Sequence, residues 1–257
     1  GRPKGIPLII DNTASPVICK PLAHGAAIVM HSLTKYIGGH GTSIGGIVVD
    51  GGNFDWTKNR KRQPLLNEPD QSYGGAIWAD AVPQLTGANI PFVIRLRVVL
   101  LRDTGAPLAP FNAWQIIQGL ETVGLRMKQH CSNAEKVVTF LETQKKVKNV
   151  IYPTNHQGEI KERALKYMKG GYGSLVGMDV GTKENGAKFI NNLKMLYHVA
   201  NIGDARSLAI HPATTTHSQL NDEELLAAGV TPGYVRLSIG IEHPDDIVAD
   251  IKQALAA

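Results

Sequence analysis

Two short apolar runs near the start of the chain predict neighbouring strands of a parallel sheet. Residues 6–10 and 26–30 are rich in branched side chains, and the segment between them contains Pro16, Pro21 and Gly25. Short apolar runs bounded by turn residues are typical of strands buried on both faces, as in parallel sheets. The connecting segment is therefore expected to be a crossover from one strand to the next.

A third apolar run, residues 44–49, predicts another strand, and the polar, turn-rich residues 53–75 that follow it predict a surface excursion. Helical periodicity returns over residues 76–102. Proline removes a backbone donor and clashes with the preceding turn, so Pro83 and Pro91 are expected to break or kink this helix.

The second half of the chain alternates between helical and strand patterns. Apolar residues recur at helical spacing over residues 113–146, with an interruption expected near Gly124. Asn221 is a good N-cap for one later helix, and His243 precedes a proline and two acidic residues that open the last one. The other predicted strands are residues 150–152, 174–180, 207–211 and 235–239, and the other helices are residues 184–196, 222–228 and 245–256.

These patterns predict an α/β protein of two domains. Residues 1–109 would form the first and residues 110–257 an α+β domain, with the connection near residues 108–112. A chain of 257 residues is long enough for two modest hydrophobic cores.

Composition narrows the class of protein. The chain is 43% hydrophobic and 19% charged, and no apolar run approaches the length of about 18 residues that a membrane span needs. Two cysteines, Cys19 and Cys131, are too few for a disulfide scaffold, and no signal peptide is evident, which together favour a cytoplasmic protein. The net charge of +5 concentrates at residues 58–62, where a solvated loop is more typical than a nucleic-acid surface.

Chemically useful side chains follow the first two predicted strands. The first ends at Asp11-Asn12-Thr13 and the second at His31-Ser32-Leu33-Thr34-Lys35. In open α/β sheets, ligands bind at the carboxyl ends of the strands. A carboxylate, hydroxyls and a lysine amine at such an edge are the groups that bind pyridoxal 5′-phosphate (PLP): the lysine forms a Schiff base, the carboxylate meets the pyridinium nitrogen and the hydroxyls bind the phosphate.

The run Ser32-Leu33-Thr34-Lys35-Tyr36-Ile37-Gly38-Gly39-His40 resembles the cofactor-lysine signature of the Cys/Met metabolism family of PLP-dependent enzymes. Asp11-Asn12-Thr13 is similar to the upstream aspartate motif of that family, and the similarity continues from Ile6 almost to Ala257. The resemblance implies PLP-dependent transferase fold type I. Residues 1–109 would then be the C-terminal part of the large, mainly parallel PLP-binding domain, and residues 110–257 the small domain.

The resemblance also implies roles for individual residues. Lys35 would be the catalytic lysine that binds the cofactor, and Asp11 would contact the pyridinium nitrogen. Ser32 and Thr34 would bind the phosphate, with Thr13 in a supporting place. Without the family signature, each of these residues would be interpreted as an ordinary surface charge, turn or cap.

Two residues of the second half are implied in substrate binding. Arg236 lies within the apolar run 235–239, where a charge needs a partner, and the resemblance implies a bidentate grip on the substrate α-carboxylate. Ser207 matches a position whose backbone helps to hold that carboxylate. His211 and His217 lack a standard metal-ligand spacing, so no metal is expected. Ile44 stands where a dinucleotide fingerprint needs glycine, so that motif is not present.

Residues 39–46, 53–56 and 215–220 are most similar to family members that act on O-acetyl-L-homoserine. The implied reaction is γ-replacement of its acetate by sulfide or a small thiol, which gives L-homocysteine for methionine biosynthesis. A cystathionine γ-synthase and a methionine or cystathionine γ-lyase are the alternatives within the family, and a catalytically silent binding module is the alternative outside it.

Family members carry a long portion before the aspartate strand, and they assemble into tetramers with shared active sites. The resemblance therefore implies that these residues are the C-terminal portion of a longer protein. It also implies a homo-oligomer, with small-molecule substrates and no nucleic-acid or membrane partner.

Overall fold

The first two predicted strands pair in parallel in the computed structural model, which describes residues 2–257. β1 (Ile9–Asp11) lies beside β2 (Ile28–Ser32), and β3 (Gly46–Asp50) adds to the other side of β2 in the antiparallel direction. This three-stranded sheet confirms all three predicted strands, although only one of its pairs is parallel. Because β1 and β2 run the same way, their carboxyl ends lie at the same edge of the sheet.

The described residues pack as two units. Unit 1 contains the residues up to Thr13, together with Lys20–Leu33 and Gly45–Trp114, and unit 2 contains Ala14–Cys19, Thr34–Ile44 and Gln115–Ala257. Lys35 and its flanking glycines therefore pack with unit 2, although β2 immediately before them belongs to unit 1. The predicted domain bounds, residues 1–109 and 110–257, stay a prediction, and Gly1 lies outside the described residues.

Unit 1 also contains a single helical turn, Pro64–Asn67, and two longer helices. Helix α1 (Trp78–Thr86) continues through Pro83, so the expected break there is wrong, whereas Pro91 begins the second helix, α2 (Pro91–Thr104). A proline inside a helix removes one backbone hydrogen bond. The tight core around Trp78 and Val82 outweighs that loss. The buried cluster is Ala27, Ile28, Phe54, Trp56, Leu66, Trp78, Ala79 and Val82.

The segment 53–75, predicted as a surface excursion, supplies three residues of this core. Phe54, Trp56 and Leu66 are each buried, and the Trp56 ring stacks on Phe92 with the ring centroids 5.5 Å apart. The prediction was wrong for these residues because scattered apolar residues in a polar segment carry no periodicity that would reveal burial.

Within residues 2–257, no single helix is long and apolar enough to span a membrane. The helices α1 and α2 reach the length and apolar composition of a membrane span only when they are counted together, and this pair is bent by 102°.

Unit 2 is built on a five-stranded sheet of order β4-β5-β8-β7-β6. Its pairs are antiparallel except for β6 with β7, which is parallel. Four of its strands confirm predictions, and the sequence did not reveal β6, which has two exposed residues and no apolar run. The strands are β4 (Asn149–Ile151), β5 (Leu175–Asp179), β6 (Tyr197–His198), β7 (Leu208–Ile210) and β8 (Tyr234–Ser238).

The long helix α3 (Pro110–Glu142) runs without the interruption predicted at Gly124. An interior glycine costs a helix only about 1 kcal/mol. The buried side of α3, which includes Val123, Met127 and Val137, outweighs that cost. The remaining helices are α4 (Glu159–Tyr167), which was not predicted, α5 (Lys183–Asn192), α6 (Asp222–Ala227) and α7 (Pro244–Ala256).

Both predicted helix starts are confirmed. The Asn221 side chain accepts a hydrogen bond from the Glu224 amide, and the Glu224 carboxylate accepts one from the Asn221 amide, which makes a capping box at α6. His243 is the N-cap of α7, where its Nδ1 accepts a bond from the Asp245 amide.

A buried carboxylate in α7 ties this helix to the chain before β6. Asp250 accepts hydrogen bonds from the amides of Lys194 (2.9 Å), Met195 (2.9 Å) and Leu196 (3.0 Å), and from the side chain of Gln253 (2.9 Å). Burial raises the pKa of Asp250, but these four donors outweigh it and hold the pKa below its ordinary value.

Replacement of Asp250 by asparagine is expected to lower the free energy of unfolding by about 1–3 kcal/mol at pH 7, because an amide cannot accept all four bonds. The pKa of Asp250 in the folded state is the lower one. Its contribution is therefore complete above the unfolded pKa of about 4 and is lost as the pH falls through the folded pKa. Urea unfolding of the wild-type protein and the Asp250→Asn variant across pH 3–7 measures the difference in stability. A stability difference that stays constant down to pH 3 would contradict the assignment.

Candidate active site

The carboxyl ends of β1 and β2 carry a hydrogen-bonded set of predicted site residues. The Thr13 amide donates to Asp11 Oδ1 at 2.9 Å, and the Ser32 amide donates to Thr13 Oγ1 at 2.8 Å. Thr13 therefore joins the ends of the two strands through its hydroxyl. Unit 1 brings together Asp11, Thr13 and Ser32, three of the residues that the sequence selected.

The Asp11 carboxylate is exposed, and its environment favours the ionised form. Hydrogen bonds from the Thr13 side chain and amide, with a smaller contribution from the nearby His31, hold the pKa of Asp11 below its ordinary value. Burial lowers the pKa of His31, against the opposing effect of Asp11. The edge of unit 1 thus presents a carboxylate that is negatively charged at neutral pH.

Lys35 lies in an irregular helical turn, Leu33–Ile37, where its own backbone is non-helical (φ −88°, ψ −130°). Its Nζ donates a hydrogen bond to Oδ1 of Asn201. Within residues 2–257, Lys35 forms no ion pair. Its acceptor is a neutral amide oxygen, which holds the amine in place without pairing it with an opposite charge.

The residues after Lys35 pack along the segment 201–205 of the same unit. The Ala205 amide donates to the Gly39 carbonyl at 2.8 Å. Gly203 has φ +73°, and a Cβ there would lie 2.6 Å from both the ring and the amide nitrogen of Tyr36. A side chain at 203 would therefore displace the residue next to the lysine, which explains the need for glycine at this position.

Arg236 lies on β8 and is half-buried. Its Nη2 donates to the Asn201 carbonyl over 3.4 Å, and across the described part of the chain it forms no ion pair. Asn201 consequently contacts Lys35 through its side chain and Arg236 through its backbone. A guanidinium with so few partners has donors left for a carboxylate.

Asn201 is a functional candidate that the sequence did not reveal. It lies in a short loop, Asn201-Ile202-Gly203-Asp204, whose composition is that of an ordinary turn. Lys35 and Arg236 lie 166 and 35 positions away from Asn201 in the sequence. No local pattern could therefore have indicated these contacts.

Ser207 precedes β7, and its amide and hydroxyl both have partners within unit 2. Ser207 is fully buried, and its amide donates to Glu242 Oε1 at 2.6 Å while its hydroxyl donates to Glu242 Oε2 at 2.9 Å. The hydroxyl also accepts a bond from the Gly240 amide at 2.9 Å. The Ser207 amide therefore already holds a carboxylate of the protein itself.

Two further residues considered in the sequence analysis, Thr34 and His211, lie in unit 2. Thr34 is half-buried and lines a small cleft with Ser43 and Gln115. Both ring nitrogens of His211 are bonded, Nδ1 to Thr214 Oγ1 at 2.9 Å and Nε2 to the Pro232 carbonyl at 2.8 Å. Over residues 2–257, no group of three or more His, Cys, Asp or Glu side chains is placed to hold a metal ion.

The side chains present fit the chemistry of PLP. The Lys35 amine is held by a neutral acceptor, Asp11 is an exposed and ionised carboxylate, and Ser32 presents a half-buried hydroxyl. An aldehyde, a pyridinium nitrogen and a phosphate need these three kinds of group. Asp11 and Ser32 belong to unit 1, and Lys35 belongs to unit 2.

Comparisons with known proteins agree with this chemistry. The family model described as "Cys/Met metabolism PLP-dependent enzyme" matches residues 1–256. The chain is 49% identical to the O-acetyl-L-homoserine sulfhydrylase of Leptospira meyeri, a match that covers 98% of this chain and 58% of the relative. It is 46% identical to the O-acetyl-L-homoserine sulfhydrylase 1 of Thermus thermophilus, with 99% and 60% covered.

Among solved structures, the chain is similar to a putative O-acetylhomoserine (thiol)-lyase of Campylobacter jejuni, with a TM-score of 0.88 and 40% identity over 98% of this chain and 59% of that one. That crystal structure contains a pyridoxyl-lysine monophosphate. The metB product of Corynebacterium glutamicum is similar with a TM-score of 0.72 and 32% identity, over 97% of this chain and 55% of that one. The predicted fold class is confirmed, and the chain spans a little under three fifths of the length of these relatives.

Proposed function

Because the chain belongs to the Cys/Met metabolism family of PLP-dependent enzymes, we propose that it carries out γ-replacement on O-acetyl-L-homoserine. Sulfide or a small thiol replaces acetate at Cγ; with sulfide the products are L-homocysteine and acetate, a step of methionine biosynthesis. The observation that carries the proposal is the contact of both Lys35 and Arg236 with Asn201. It brings a reactive amine and a free guanidinium, which an amino-acid substrate needs, to one residue.

PLP, when bound, supplies an electron sink that stabilises negative charge at the substrate Cα. Lys35 holds the cofactor covalently and then, as a free amine, removes the α-proton and returns protons along the substrate. Asn201 keeps the amine in one direction by accepting its hydrogen bond. These assignments use only donors and acceptors that unit 2 presents.

The residues that follow the first two strands also have roles in the proposal. Asp11, ionised at neutral pH, keeps the pyridinium nitrogen protonated. Ser32 and Thr34 donate their hydroxyls to the phosphate. Thr13 positions Asp11 and Ser32 through the two bonds that it makes.

Arg236 binds the substrate α-carboxylate through two parallel hydrogen bonds, as the planar guanidinium favours. For Ser207, the contacts support a positioning role, because its amide and hydroxyl hold Glu242. The prediction that the Ser207 backbone helps to hold the substrate carboxylate stays a prediction.

The family resemblance also supports two further proposals about the protein in the cell. We propose that it is cytoplasmic and self-associates as a homo-oligomer, with a tetramer as the expected form. Size-exclusion chromatography with light scattering measures the oligomeric state.

The reaction is tested by supplying O-acetyl-L-homoserine with different acceptors to the intact protein loaded with PLP. Homocysteine formation with sulfide, faster than cystathionine formation with cysteine, supports the proposal. Preferential use of cysteine identifies a cystathionine γ-synthase, and release of ammonia and 2-oxobutanoate without an acceptor identifies a γ-lyase. A colourless protein with no borohydride-trapped cofactor at Lys35 supports a silent binding module instead.

A further inference from the structure

A buried arginine on α3 holds the backbone immediately after Lys35. The Arg126 side chain is almost fully buried, at 7% exposure of the residue. Its Nη1 donates to the Tyr36 carbonyl at 2.6 Å and its Nη2 to the Ile37 carbonyl at 2.9 Å. Further bonds run to the Gly119 carbonyl at 2.6 Å and to Thr122 Oγ1 at 3.1 Å.

The partners of Arg126 are all neutral. Throughout residues 2–257, it forms no ion pair, and burial lowers its pKa. A buried cation without an acid is costly, so its hydrogen bonds must offset the desolvation. Four acceptor oxygens surround the planar guanidinium. Their hydrogen bonds offset the desolvation, because hydrogen bonds from a charged donor are about twice as strong as neutral ones.

The two carbonyls are ones that the turn cannot satisfy internally. The irregular turn Leu33–Ile37 is not continued by a helix, so its last carbonyls have no amide partner within it. Arg126 caps both carbonyls from outside with one rigid group. Lysine could not do this, since its ammonium is a point charge without the planar fork.

Two glycines leave room for this contact. A Cβ at Gly39, whose φ is +79°, would overlap the Arg126 guanidinium, and a Cβ at Gly119 would overlap the carbonyls of Ile37 and Gly38. The close approach of α3 to the turn therefore depends on missing side chains on both sides.

Tyr36, which is held by several contacts, limits the backbone positions that the neighbouring Lys35 can adopt. Its hydroxyl pairs with Ser174 Oγ at 2.8 Å, and its ring meets His130 edge-on with the centroids 5.4 Å apart. With its side chain held by these contacts and its carbonyl by Arg126, the residue next to Lys35 has little freedom. The direction of the Lys35 side chain toward Asn201 is set accordingly.

We propose that Arg126 is a positioning residue for Lys35: it caps the carbonyls of Tyr36 and Ile37 and so directs the amine. This inference rests on the proposed function of Lys35. A misplacement of about 1 Å in a reacting group costs up to roughly 100-fold in rate. The loss of Arg126 should accordingly appear in the chemical step and in the mobility of the turn.

The test compares Arg126→Lys with wild type and with Asp250→Asn in the intact, PLP-loaded protein. Asp250→Asn is the matched control, because it also removes hydrogen bonds between a buried charged side chain and the backbone but does not touch the turn. The measurements are kcat and KM, the visible absorbance of the lysine-bound cofactor against pH, and hydrogen exchange. The exchange probe is the Gly39 amide, which donates to the Lys35 carbonyl at 2.7 Å.

For Arg126→Lys we expect kcat to fall about 10- to 100-fold, with KM changed less than about threefold. The pH dependence of the absorbance should shift, and the Gly39 amide should exchange at least about tenfold faster. Asp250→Asn should lower the unfolding stability but leave these readouts unchanged.

The proposal is overturned if Arg126→Lys lowers stability as the control does while kcat, absorbance and Gly39 exchange stay as in wild type. Hydrogen exchange needs no turnover, so it tests the positioning even if γ-replacement is absent. Should Arg126→Lys fail to fold, Gly39→Ala addresses the same contact from the other side. A Gly39→Ala protein with wild-type kcat and absorbance would equally overturn the proposal.

Discussion

Replacement of Lys35 by alanine is expected to reduce γ-replacement by at least about a thousandfold. The variant loses both the covalent attachment of the cofactor and the base that moves the protons, and a positioned acid–base group alone contributes about 10²–10⁴ in rate. The Asn201 side chain also loses the donor it holds in the present structure. The measurements are homocysteine formation from O-acetyl-L-homoserine and sulfide, and the visible absorbance of the purified protein.

Two controls separate this effect from unspecific loss of charge. Lys35→Arg keeps a cation but cannot attach the cofactor at neutral pH, so it should fail like the alanine variant. Lys20→Ala removes an exposed lysine and should retain wild-type activity. If Lys35→Ala kept more than a tenth of the wild-type rate, or if borohydride trapped the cofactor on another lysine, the assignment of Lys35 would be wrong.

Replacement of Arg236 by lysine is expected to lower kcat/KM by roughly 30- to 1,000-fold, mostly through KM for the amino-acid substrate. Lysine keeps the charge but loses the second, parallel hydrogen bond to the carboxylate. A hydrogen bond to a charged group contributes about 1.5–3 kcal/mol, and desolvation around the carboxylate adds to the loss. The variant is measured by steady-state kinetics with O-acetyl-L-homoserine varied at saturating sulfide.

The control for this variant is Arg163→Lys on α4, an exposed arginine paired with Glu159 four residues earlier. An exposed pair of this kind contributes little, so its kinetics should match wild type. An Arg236→Lys protein whose KM is unchanged would show that the guanidinium does not bind the substrate carboxylate. Arg236 would then be a structural partner of Asn201 alone.

Local patterns in the chain predicted most of the regular structure. The strands around residues 9–11, 28–32, 175–179 and 234–238 carry apolar runs that local sequence patterns predict. The caps at Asn221 and His243 are equally local, because a cap is a contact between residues two or three positions apart. The errors at Pro83 and Gly124 share another cause: tertiary packing outweighed a local preference of a few kcal/mol at most.

In the candidate site, too, some features follow from local sequence and others only from tertiary packing. The amino-acid sequence by itself determined the family and the chemistry of PLP, and it selected Asp11, Ser32, Thr34 and Lys35 as candidates because these residues lie in two contiguous motifs.

Only the tertiary structure decided what surrounds them. Asn201 under the Lys35 amine, Arg126 on the Tyr36 carbonyl and Glu242 on the Ser207 amide are pairs 166, 90 and 35 residues apart. A motif is read from neighbours in sequence, whereas these contacts exist only after distant segments pack. Polar residues in loops and on helices therefore acquired their roles from the fold.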